Sequence, residues 1–148
     1  MRELQRFQVA LKAFIVDGDR VLMVRESSGE GVWELPGGRI EVGEEHLPPT
    51  AVLRRELAEE LGAAFTYSVE DPVVAWTRPP DPPRRNMSVF LVGYRCQRGP
   101  GEIVLSDEHV ESRWVTRAES AHLPLAPGYA AALEQFWLSM AGAEEKPA

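Results

Sequence analysis

Residues 37–63 read GGRIEVGEEHLPPTAVLRRELAEELGA, a segment bounded by glycines and crowded with glutamate at its C-terminal end. Proline suits an early helical position and glycine the position just past a helix end, so Pro49-Thr50 and Gly62 bracket a predicted helix. Leu53, Leu57 and Leu61 recur on one face and can meet a core, while Glu56, Glu59 and Glu60 share a neighbouring arc of roughly 100°. Carboxylates at i, i+3 and i+4 repel one another by a few tenths of a kcal/mol per pair. Glu59 and Glu60 also sit in the last turn, where the helix dipole favours cations. A divalent cation would reverse both penalties, because hard oxygen ligands on one face suit magnesium or manganese. The alternative is a solvated acidic helix in which Arg54 and Arg55 compensate part of the charge.

The residues ahead of the helix favour the first reading. Gly37 and Gly38 end a short strand, Val32 to Leu35, that Pro36 halts. Glycine lets a backbone turn tightly and present a carbonyl or amide to a ligand. Glu44 can reach back to pair with Arg55 and fix the loop against the acidic face. A strand, a glycine turn, an acid and an acidic helix in that order could hold metal ions against a phosphate.

The remaining chain sets the frame. Its 148 residues, 44% hydrophobic and 26% charged, suit one globular domain, expected over residues 1–142 with a disordered tail at 143–148. A net charge of −7 makes duplex nucleic acid or an anionic membrane a poor partner, whereas an anionic small molecule remains open if local cations receive it. Cys96 is the single cysteine, which excludes an intrachain disulfide and fits a reducing cytoplasm. No stretch approaches the roughly 20 apolar residues of a membrane span, and the apolar run near the N-terminus, broken by Lys12, reads as a strand.

Phe7 to Val16 and the VLMVRE segment read as a hairpin about the turn DGDR. Phe65 to Trp76 carries one or two strands, Met87 to Cys96 a strong one, and Glu111 to Val115 a short one. Arg78 to Asn86 holds four prolines and reads as a loop. Arg117 to His122 reads as a helical turn. After Pro127, the residues Tyr129, Leu133, Phe136, Trp137 and Met140 fall at helical spacing as a core stripe. The order predicts an α/β or α+β fold, a mixed sheet flanked by helices.

The central segment resembles the Nudix box, G-x5-E-x7-R-E-U-x-E-E-x-G-U with U aliphatic. Gly38 and Glu44 match its first half. Arg55, Glu56, Leu57, Glu59, Glu60 and Gly62 match the second, with Ala63 at the final U. The preceding WELPGG, the earlier VLMVRE and the later SDEHVESRWV also look like the family, so the resemblance spans about Phe7 to Trp137. One departure stands out: ten residues, Glu45 to Arg54, replace the family's seven. Such an insertion costs little loop entropy, but it falls where it bears on the Glu44–Arg55 pairing.

The resemblance implies an α/β/α sandwich and hydrolysis of a nucleoside diphosphate linked to another group. It implies Mg2+ or Mn2+ held by Glu56, Glu59, Glu60 and the Gly37 carbonyl. Cations bridging the phosphate oxygens withdraw charge and make an attacking water more acidic. Among the acids, Glu59 is the first choice to orient or deprotonate that water, with Glu44 and Arg55 in support. A further acid from outside the box is expected at Glu108, with Glu111 second, against the plainer reading of an acidic surface loop. His109 could serve as a base but reads better as a hydrogen-bonded histidine. Arg25 and Gly38 are candidate substrate contacts. Arg84 and Arg85 could steer an anion or simply be solvated. Trp33 and Trp76 could stack on a base, although core packing is the better reading.

The expected substrate is a (deoxy)nucleoside triphosphate or related small-molecule nucleotide. ADP-ribose or a nucleotide sugar is the alternative, for which Pro79 stands at an associated position. A non-catalytic nucleotide sensor is the alternative of another class. The oligomeric state is open, a homodimer included.

Overall fold

A computed structural model of the chain describes residues 1–83 and 85–145, the last three by backbone alone. β1 (Gln8–Asp17) and β2 (Arg20–Glu26) form the expected hairpin. β3 (Trp33–Glu34) and β4 (Gly37–Arg39) follow, then a single 3-10 turn at Glu44–His46 and helix α1 (Pro49–Leu61). β5 (Tyr67–Arg78), β6 (Val89–Arg98), β7 (His109–Val115), α2 (Arg117–Ser120) and α3 (Tyr129–Glu145) complete the chain. α3 runs through Glu145, and residues 146–148, the rest of the segment expected as a disordered tail, lie outside the described residues.

The sheet has the order β3-β2-β1-β6-β5, with β4 added to β1 and β7 to β2. Among the paired strands of the described residues, β1 and β6 run parallel and the other pairs antiparallel. β1 stays beside β2 only at the hairpin end, Val16↔Val21, and at Ala10 to Lys12 it pairs with β4 instead. This parting of β1 from β2 opens the sheet beside the glycine turn.

Central position explains the composition of β1. Ala10, Phe14 and Val16 pack under α3, and Leu11, Ala13 and Ile15 pack under α1, so the strand is apolar on both faces. Each fully buried Leu or Phe side chain contributes roughly 1.5–3 kcal/mol. α1 lays Val52, Leu53, Leu57 and Leu61 on one core, and α3 lays Tyr129, Leu133, Phe136 and Trp137 on the other. The result is the expected α/β/α sandwich. Lys12 is the one charge in the middle of β1, buried on the α3 side of the sheet at 6% exposure. No helix among the described residues is long and apolar enough to cross a membrane.

Candidate metal and phosphate site

The glycine turn is built by close approach. Gly37 has φ +132°, and a Cβ there would lie 2.1 Å from the Leu11 carbonyl oxygen. At Gly38 a Cβ would lie 2.4 Å from the Glu56 carboxylate, so the missing side chain is the space that Glu56 fills. Glu60 Oε2 accepts the Gly37 N–H at 2.8 Å. Lys12 donates from below to the Gly37 carbonyl at 3.0 Å, to the Leu35 carbonyl at 3.3 Å and to Glu34 at 3.3 Å. The turn is therefore clamped between a strand lysine and a helix glutamate.

Arg55 organises the other acids. It forms a fork with Glu44, Nε to Oε2 at 2.6 Å and a terminal nitrogen to Oε1 at 2.7 Å. It also reaches Glu56 at 2.9 Å and Glu59 at 3.2 Å. The Glu44–Arg55 pairing thus survives the long connection, which folds as the 3-10 turn and the Leu47-Pro48 step before α1. The Arg55 hydrogen bond and the Glu41 amide hold the Glu44 carboxyl below its usual range. Glu44→Ala should therefore release the loop: exchange of the Glu41 amide, which donates to Glu44 at 2.8 Å, should rise roughly tenfold. Unchanged exchange would mean that the fork does not hold the loop.

Glu56, Glu59 and Glu60 all line one cleft of about 890 Å³. Their carboxylates do not converge on a single point, because Arg55 draws Glu56 and Glu59 while the Gly37 amide holds Glu60. The cluster of potential ligand atoms among the described residues is instead Glu60, Glu108 and His109, within 4.8 Å of one another. The cause lies in the backbone. The last-turn carbonyls of α1, unpaired by the helix itself, accept from the 104–106 segment: Leu61 O from Val104 N at 2.9 Å and Glu60 O from Ser106 N at 3.3 Å. Those bonds bring the SDEH loop against the acidic end of the helix.

Burial pushes the Glu60 carboxyl up to about 7 and raises Glu56 as well. Burial likewise pushes the Lys12 ammonium down and Glu34 up, but the mutual attraction of the pair outweighs it. Lys12 is held above its ordinary value and Glu34 well below. His109, buried beside Glu34 at 3.4 Å, is depressed by burial but raised overall by Glu34 and Glu60. Its Nδ1 is buried without a partner.

These residues fit divalent cations. The donors are hard oxygens, Glu60 is a buried carboxylate with incomplete compensation, and the Gly37 carbonyl keeps a second lone pair beside the one Lys12 takes.

Other expected contacts fall elsewhere. Arg25 does not line the cleft; it faces Glu111 across the β2–β7 ladder and pairs with it at 3.3 Å. Glu111 is further held by Arg113 at 2.9 Å and is not among the residues that line the cleft. Trp33 is core, capped by Arg113 with its guanidinium carbon 5.0 Å from the ring centre, and Trp76 packs edge-on against Tyr129. Arg85 lines the cleft and has partners of its own; Arg84 lies outside the described residues. Lys12, Glu34, Arg78 and Gln8 line the cleft without having been singled out for it. Lys12 carried a signal in the sequence: a lone charge in an apolar strand needs a buried partner.

The chain matches the NUDIX domain family over residues 6–136. It is 39% identical over 115 residues to the putative 8-oxo-dGTP diphosphatase 2 of Mycobacterium tuberculosis, covering 76% of this chain and 75% of that protein. The solution structure of the E. coli ORF135 protein superposes with a TM-score of 0.75 at 23% identity, covering 97% and 96% of the two chains. A MutT NUDIX hydrolase from Burkholderia pseudomallei gives 0.69 at 25% identity, covering 88% of this chain and 98% of that one. Nudix hydrolases generally use divalent metal ions, and the cleft offers oxygen donors for them. By its box, its sandwich and its 39% identical relative, this chain belongs to the Nudix hydrolase family.

Proposed function

We propose that the chain hydrolyses (deoxy)nucleoside triphosphates, adding water across a phosphoanhydride bond to release a nucleoside monophosphate and pyrophosphate. One observation carries this reading. A single cleft joins the acids of α1 and Glu108 at one end to Gln8, Arg78, Val89 and Leu91 at the other. The relative named an 8-oxo-dGTP diphosphatase points to the same substrate class.

Glu56, Glu59, Glu60, Glu108 and the Gly37 carbonyl would hold Mg2+ or Mn2+. Such ions would draw charge from the phosphate oxygens and make the attacking water more acidic. Arg55 keeps Glu56 and Glu59 ordered, and Lys12 fixes the carbonyl. Glu59, with a side chain 61% exposed at the cleft, suits a group that orients or deprotonates water. The buried free thiol of Cys96 fits a cytoplasmic location.

A Mg2+-dependent assay of released products over a panel of triphosphates, ADP-ribose and nucleotide sugars tests the reading. Triphosphates should be the best substrates, and Glu59→Gln should lose about 100-fold in turnover. Faster cleavage of ADP-ribose would overturn the substrate class. Nucleotide binding without turnover on any compound would mark a sensor instead of an enzyme.

A further inference from the structure

We propose that Arg78 determines base specificity, donating to the ring carbonyl of a 6-oxopurine; this rests on the triphosphate reading above. Arg78 ends β5, is only 7% exposed and lines the cleft. Its Nε is buried and makes no hydrogen bond. A buried guanidinium N–H is rarely left without an acceptor. A partner from outside the chain would satisfy it.

The sheet register shows what lies beside it. Arg78 stands opposite Val89, and Val89 opposite Gln8, in one row across β5, β6 and β1. The next row on the same face holds Leu91 and Ala10. Val89, Leu91 and Ala10 thus form an apolar floor with Arg78 and Gln8 along its rim. Two residues further along β1, Lys12 stands opposite Gly37. From Gln8 to Lys12 is about 13 Å along the strand, so this floor lies well away from the acidic end, as a base lies away from the phosphates it carries.

The floor suits the face of a base and not a phosphate, which would lose its hydration against Val89 and Leu91. The rim groups are donors. Arg78 has no acceptor, and the Gln8 side-chain carbonyl already takes Arg39 at 2.8 Å, which leaves its amide N–H groups. Two donors match the carbonyl edge of guanine or hypoxanthine and oppose the amino group that adenine carries at the same ring position.

The test compares dGTP, dITP and dATP in steady-state hydrolysis with Mg2+, for wild type, Arg78→Gln and Arg78→Lys. Wild type should prefer dGTP and dITP. Arg78→Gln should lower kcat/KM for both on the order of 30-fold, mainly through KM, and leave dATP within about threefold. Arg78→Lys keeps the charge without the fork and should also lose the preference. Calorimetry with dGMP and no added metal should show weaker binding to both variants, independently of turnover. Equal losses on all three triphosphates, or an unchanged dGTP-to-dATP ratio, would overturn the role of Arg78 alone. A wild type inert to every triphosphate would overturn the substrate reading and this proposal with it.

Discussion

A Glu60→Gln variant turns over substrate about 10³-fold more slowly than wild type and, with no metal added, melts no lower above pH 7. The first half follows from position. Glu60 is 3% exposed and shares the ligand cluster with Glu108 and His109. An amide in its place is a neutral, weaker ligand for a divalent ion. The second half follows from the sign of its titration. Burial raises the Glu60 carboxyl from 4.5 to about 7. An acid whose folded value lies above its unfolded value makes the folded state hold its proton more tightly. Stability is then lost as pH rises from about 4.5 to 7, by at most on the order of 3 kcal/mol. Glutamine carries no such penalty, and its side-chain oxygen still accepts the Gly37 N–H. Added Mg2+ should stabilise wild type more than the variant. Wild-type turnover in Glu60→Gln, or equal Mg2+ stabilisation of both proteins, would remove Glu60 from the centre.

Lys12→Met should lower stability by about 3–5 kcal/mol, or roughly 10–15 °C in Tm. Lys12 and Glu34 are both buried, and the pair is 3.3 Å apart. Methionine fills most of the volume but leaves the Glu34 carboxylate buried without its lysine, with His109 beside it at 3.4 Å. It also strips the Leu35 and Gly37 carbonyls of a donor. Without Lys12, the attraction that holds Glu34 low is gone, and its pKa must rise. The variant should therefore lose more stability at pH 8, where Glu34 has to be charged, than at pH 5, where it can take a proton. Lys12→Met with Glu34→Gln should recover part of the loss, because the uncompensated charge is then absent. A single variant as stable as wild type at pH 8 would show that the pair does not hold the turn.

Local chemistry made the frame of this protein readable. Pro49 and Gly62 bracket a helix whose observed span is Pro49–Leu61, because a proline start and a glycine stop act within one turn. The apolar run of β1, the DGDR turn and VLMVRE marked the hairpin that β1 and β2 form. β5 extends to Arg78, two residues past the expected Trp76, because pairing with Val89 continues the ladder into a proline-rich segment. Partners distant in sequence were not readable. Lys12 meets Glu34 across 22 residues, and Arg25 turns to Glu111 across 86. The three box acids do share the cleft, but their spacing could not show that Arg55 gathers two of them and the Gly37 amide takes the third. Nor could it show that the open carbonyls at the end of α1 draw in the loop that carries Glu108.

A crystal of the metal-free protein soaked in Mn2+, with anomalous scattering measured at the manganese edge, tests the centre most directly. The account predicts an anomalous peak in the cleft within bonding distance of Glu60 and at least one further acid of Glu56, Glu59 or Glu108. A cleft free of anomalous signal at saturating Mn2+, with those carboxylates still bound to Arg55 and the Gly37 amide, would contradict it.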